Sequence, residues 1–132
     1  MNLADAKQMI EAAKVKAAEI DKPVSIVVLD AAGCMVAMER ADGAGPHTSF
    51  MAEGKAAASA LTGRNSSTLA NMTQNTLVIN ALSNRTGQRL VPLQGAVVLT
   101  DGRGVAGAIG VSGATSEEDE QIAEAGAAVF KK

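Results

Sequence analysis

Gly104-Val-Ala-Gly-Ala-Ile-Gly-Val-Ser-Gly-Ala-Thr-Ser-Glu-Glu-Asp-Glu-Gln-Ile-Ala-Glu-Ala-Gly126 is the stretch that decides the fold. In its first half Val105, Ile109 and Val111 fall on one face at period two, while Ala106, Ala108, Gly110 and Ser112 fall on the other, which is a strand pattern. One face is bulky and the other nearly bare. Glycine and alanine weaken a strand through backbone entropy and lost packing, so their run calls for another backbone or a ligand lying close against them. After the turn Ser112-Gly113-Ala114-Thr115 the composition becomes acidic and helical. Ser116 is placed as an N-cap with Asp119 three residues on, and Glu117, Glu118 and Asp119 suit the positive end of a helix dipole. A helix is therefore predicted from about residue 117 to near Phe130.

Immediately upstream, Ala96 to Thr100 reads as a strand and Asp101-Gly-Arg-Gly104 as a hairpin turn into the opening stretch. Val24-Ser-Ile-Val-Val-Leu29 is almost continuously apolar and β-branched, the pattern of a central strand covered on both faces. Asp30-Ala-Ala-Gly33 connects it tightly to a partner strand from Cys34 through Arg40. Leu3, Ala6, Met9, Ile10, Ala13, Ala17 and Ile20 recur at helical spacing, so residues 3 to 20 form a surface helix that stops at Asp21-Lys-Pro23. Asp42-Gly-Ala-Gly-Pro46 is a loop. Thr48 or Ser49 caps a helix of about 12 residues that ends at Gly63. Its alanine-rich side is the natural partner for the bare strand face. A short helix from Ser66 or Ser67 to about Asn75 follows, and Thr76 to Gly95 holds no sustained period, which predicts short pieces and loop. Helices and hairpins in this order define an α+β domain, residues 1–132, with an antiparallel sheet and packed helices.

At 132 residues the chain suits one domain with a real core. The hydrophobic content of 47% comes largely from Ala and Val, with 2% aromatic residues, so elements pack closely and broad apolar helix faces remain. Such faces predict a homo-oligomer. A net charge of −2 with interspersed signs excludes the concentrated basic patch that nucleic acid needs. No apolar run approaches a membrane span and no signal pattern opens the chain, which predicts a cytoplasmic protein. The single Cys34, in a predicted strand, reads as a small buried hydrophobe, and no Cys/His cluster has metal-site spacing.

The glycine-rich strand running into Ile-Gly-Val-Ser-Gly, the Ser-Glu-Glu-Asp-Glu helix entry and Ala-Glu-Ala-Gly resemble the GlcG/HbpS family, also found at the C-terminus of PduO-type proteins. Val28-Leu29-Asp30-Ala31-Ala32-Gly33, Val36-Ala37-Met38-Glu39-Arg40-Ala41-Asp42-Gly43-Ala44 and Glu53-Gly54-Lys55-Ala56-Ala57 extend the resemblance from residue 24 to 126. It implies a profilin-like or PAS-like arrangement, haem or another tetrapyrrole as a candidate ligand, an accessory role in metabolism, and assembly into closed rings or stacks. The family's Pro-Gly-Gly-x-Pro loop before the penultimate strand is replaced here by Val91-Pro-Leu-Gln-Gly-Ala96.

His47 is the only histidine, in a loop just before a helix, where its ring can ligate haem iron, act as acid/base, or simply face solvent. Phe50 and Met51 follow it as candidate walls. Lys55 either snorkels to water or points at an anion, and Arg40 and Asp42 either pair at the sheet's end or leave Arg40 to hold a carboxylate. Ser112 and Gly113 precede a helix N-terminus whose N–H groups can meet an anion. Two functions result. One is a small-molecule-binding oligomeric accessory protein, with haem a possible cofactor held near His47, Phe50, Met51, Ser112 and Gly113. The other is a cofactor-free enzyme doing proton transfer or lyase chemistry on a small carboxylate, with catalytic His47, Arg40 and Lys55.

Overall fold

The computed structural model describes residues 1–71 and 75–130. Among these residues four strands, β1 (Ser25–Asp30), β2 (Met35–Arg40), β3 (Ala96–Asp101) and β4 (Gly104–Ser112), form one sheet in the order β2-β1-β4-β3. Every neighbouring pair is antiparallel. Among the described residues five helices surround it: α1 (Leu3–Ile20), α2 (His47–Thr62), α3 (Ser66–Ala70), α4 (Asn75–Thr86) and α5 (Ser116–Ala127). The expected α+β class and central position of β1 hold, and period two explains why. Ile26 and Val28 join Met9, Ile10, Ile109, Val111 and Ile122 in a core under α1 and α5. Val27 and Leu29 join Ala52, Ala56 and Ala108 in a second core under α2. One strand thus feeds two cores.

The bare face of β4 receives α2. A Cβ placed on Gly110 would stand 2.3 Å from the Ala52 carbonyl oxygen and 3.0 Å from the Ala56 Cβ, so glycine there and alanine on the helix set the spacing between the layers. Val105 does not share the bulky face. A register shift between Leu99 and Thr100 places Val105 opposite Thr100, two residues from Gly107 opposite Leu99, and the extra residue removes Val105 from the Ile109 row.

Four local expectations are corrected. The acidic helix is capped by Thr115, not Ser116: the Thr115 side chain accepts from the Glu118 N–H, while the Thr115 N–H donates to the Glu118 carboxylate. α2 begins earlier than expected, at His47, and Thr48 is not its cap but a buried residue of its first turn. Thr76 to Gly95 is not short pieces and loop throughout, because α4 takes it up to Thr86. Three consecutive apolar residues hid its period: Ile79 is buried, whereas Leu77 and Val78 are 80% and 53% exposed. The described part of the preceding helix ends at Ala70; its expected extension to Asn75 crosses residues 72–74, outside the described residues. Cys34 lies in the turn before β2 and is exposed, so the expectation of a buried strand residue fails.

Candidate ligand-binding site

Ser25 is the pivot around which one end of the sheet is built. In register it stands opposite Arg40 on β2 and Ser112 on β4, so all three side chains share the α2 side of the sheet. Thr48 on α2 docks there: its hydroxyl donates to the Gly45 carbonyl at 2.6 Å and lies 2.8 Å from the Ser25 hydroxyl. With the Thr48 proton committed to Gly45, Ser25 is the donor of the second bond. These buried polar contacts fix the start of α2 over the sheet. His47, the first residue of the helix, is exposed, with its ring folded back beside Gly45: a Cβ on that glycine would be 2.7 Å from Cε1.

From His47 the outward face of α2 continues through Phe50, Gly54 and Ala57, at the three- and four-residue spacings that share a helix face. Phe50 is 74% exposed, a large aromatic surface left uncovered by its own chain. The segment after α4 lies across this face as a strap. The Val91 N–H donates to the Gly54 carbonyl at 3.0 Å, the Leu90 N–H to the Ser83 hydroxyl at 3.1 Å, and the Gln88 side-chain amide to the Ala32 carbonyl at 3.2 Å. Only glycine allows the crossing, since a Cβ at position 54 would lie 2.4 Å from a Val91 methyl. Between helix and strap opens a cleft of about 350 Å³ lined by Phe50, Glu53, Gly54, Ala57 and the Gly87–Arg89 segment. Its floor is small and apolar, its wall is aromatic, and two residues with exposed charged side chains, Glu53 and Arg89, are among its lining. Neither Glu53 nor Arg89 has an ion pair among the described residues.

Lys55 points the opposite way. It is 4% exposed, and its ammonium donates to the Val111 carbonyl and to Asp119 Oδ2, both at 3.1 Å. The other Asp119 oxygen accepts from the Ala114 N–H at 2.9 Å. Gly95 leaves room for this pair: its φ is +137°, and a Cβ there would sit 2.8 Å from the Lys55 nitrogen. Burial pushes the Asp119 carboxyl above the usual carboxylate range, while the Ala114 N–H and the Lys55 ammonium act against that rise. Lys55 therefore ties α2 to β4 and α5; neither snorkelling nor an open anion site describes it. The shift of the cap from Ser116 to Thr115 is what frees Asp119 to turn inward.

The structure brings His47 and Phe50 onto one face, with Met51 half-buried one turn from His47. Arg40 is exposed at the same end of the sheet and makes no ion pair with Asp42 among the described residues. Ser112 is 8% exposed beneath α2, and a Cβ on Gly113 would meet the Pro23 carbonyl at 2.6 Å, so this turn is packed against the chain and not open to the cleft. Sequence reasoning missed Glu53, Gln88 and Arg89. The glycine between Glu53 and Lys55, inside a predicted helix, was the available signal of a close crossing. Among the described residues no group of three His, Cys, Asp or Glu side chains is placed to hold a metal ion. No described helix is long and apolar enough to cross a membrane.

An antiparallel sheet clamped between α1 and α5 on one face and α2 on the other, with an open cleft outside α2, defines a small α+β protein with a ligand-sized surface site. The chain belongs to the HbpS-like family, described as haem degrading protein HbpS-like, which matches residues 1–128. It is similar to an uncharacterized 15.0 kDa protein in the dhaT-dhaS intergenic region of Citrobacter freundii, at 33% identity over 94% of this chain and 87% of that one. Its fold is similar to a double mutant of Streptomyces reticuli HbpS (31% identity, TM-score 0.85, 98% of this chain and 86% of that one). It also matches PduOC in a haem complex (24% identity, TM-score 0.86, 98% of this chain and 94% of that one), a likeness of fold alone.

Proposed function

We propose that the protein is a single-domain, oligomeric accessory protein of cytoplasmic metabolism that binds a small organic ligand on the outer face of α2, with haem or a related tetrapyrrole as the leading candidate. The observation that carries this is Phe50, 74% exposed between His47 and the apolar floor of the strap cleft. Ligand sites combine apolar walls with a few convergent polar groups, and this face has that make-up. The donor set fits haem: an exposed imidazole at His47 with no hydrogen-bond partner among the described residues, an aromatic surface at Phe50, and a cation at Arg89. His47 would ligate the iron, Phe50 would cover the macrocycle, and Arg89 would meet a carboxylate. Bound haem supplies a redox-active iron; the chain supplies orientation and partial exclusion of water. The family's description supports this ligand class.

Oligomerisation is supported by apolar surface beyond Phe50. Met35 and Met38 stand opposite Leu29 and Val27, on the α2 side of edge strand β2, and are 45% and 38% exposed. A second copy covering that surface would also shield the ligand. The proton-transfer reading is weakened because Lys55 is committed to Asp119, leaving Arg40 as its remaining anion holder.

The test is a haem titration of apo-protein followed at the Soret band. Saturable binding that weakens tenfold or more in His47→Ala, with no turnover of small carboxylates, is the expected result. Absence of saturable binding removes the tetrapyrrole assignment, and unchanged affinity in His47→Ala removes the ligand role of His47. Light scattering should give a mass that is a multiple of 13.3 kDa; a monomer at micromolar concentration removes the oligomer.

A further inference from the structure

We propose that the cleft between α2 and the strap is a carboxylate subsite, in which Arg89 takes the carboxylate arm of an aromatic ligand whose ring lies against Phe50. This deepens the ligand-binding reading and rests on it for the face of the molecule, but it does not depend on the ligand being haem.

The strap is pinned on both sides of Arg89, by Gln88 to Ala32 and by Val91 to Gly54, so the Arg89 backbone is held against the helix while its side chain stays exposed. An exposed arginine side chain on a pinned strap beside this cleft, with no carboxylate partner among the described residues, is matched by a planar anion, which it can meet through two parallel N–H···O bonds. Glu53 lines the same cleft without pairing with Arg89. Its charge repels a bound carboxylate, so it restricts the cleft to one carboxylate arm and not a cluster of them. At about 350 Å³ the cleft is at the small end of ligand pockets, which suits one ring edge and its acidic arm. The two charges thus have opposite effects on the same ligand, and this separates an anion site from general stickiness of Phe50.

The probe is 2-naphthoate, compared with methyl 2-naphthoate, which has the same ring without the charge, by calorimetry or amide chemical-shift titration. The folded protein is expected to bind the acid at least tenfold more tightly than the ester. Arg89→Gln should erase that preference, and Glu53→Gln should tighten the acid severalfold while leaving the ester unchanged. Both side chains are exposed, so urea midpoints should match the parent. Equal affinity for acid and ester, a preference that survives Arg89→Gln, or no saturable naphthoate binding overturns the subsite. Haem titrated into the same samples separates the two claims: haem binding without the naphthoate preference removes the subsite alone, and the preference without haem binding removes the tetrapyrrole alone.

Discussion

Replacing Lys55 by Met tests the central tie between α2, β4 and α5. The ammonium and the carboxylate it meets have side chains 5% and 3% exposed, 3.1 Å apart, so the pair is desolvated and unscreened. Removing one partner of such a pair strands the other, which costs about 3–5 kcal/mol. Domains of this size unfold with roughly 5–15 kcal/mol, so the variant loses a large share of its stability. With a urea slope of about 2 kcal/mol per molar, the midpoint at neutral pH should fall by roughly 2 M. The pH dependence has a definite sign. Asp119 already lies above the usual carboxylate range through burial, and losing Lys55 raises it further. A carboxyl whose folded pKa exceeds its unfolded value binds its proton more tightly when folded, so stability is gained as the pH falls through the folded value. The penalty of Lys55→Met should therefore be largest at neutral pH and shrink on acidification. Lys55→Met with Asp119→Asn should recover more than half of the loss, because the amide still accepts the Ala114 N–H without carrying charge. Urea denaturation at several pH values measures all three. A neutral-pH cost below about 1 kcal/mol, or a cost that grows in acid, would refute the argument.

Gly110→Ala should destabilise by about 1–3 kcal/mol through overpacking, because its Cβ meets the Ala52 carbonyl oxygen at 2.3 Å; a change in thermal midpoint within error would show that α2 can lift freely. Thr115→Ala should cost about 1 kcal/mol and Ser116→Ala much less, since Thr115 makes the capping bond; the reverse order in urea melts would return the cap to Ser116. His47→Ala, at an exposed position, should leave stability within about 0.5 kcal/mol whatever it does to ligand binding, and a larger drop would assign His47 a structural role.

Local composition and periodicity by themselves determined the four strands, the long first helix and the face of β4 that had to meet another backbone, because β-branched apolar runs, period two and the 3.6-residue helical period are local properties of the chain. The sequence named both His47 and Phe50 as candidates, but only the earlier start of α2 sets them one helical turn apart on one face. Other features depended on what each segment packs against. Asp119 reads as a helix-entry charge until the cap moves by one residue and turns its carboxylate toward Lys55, 64 positions away in sequence. α4 lacks a clean period because Leu77 and Val78 face outward while Ile79 is buried. The strap and its Arg89 carry no motif, since hydrogen bonds from Gln88, Leu90 and Val91 to three separate segments place it over Gly54. The cleft exists only because those distant backbones cross at a glycine, and a crossing of that kind has no local period from which it could be read.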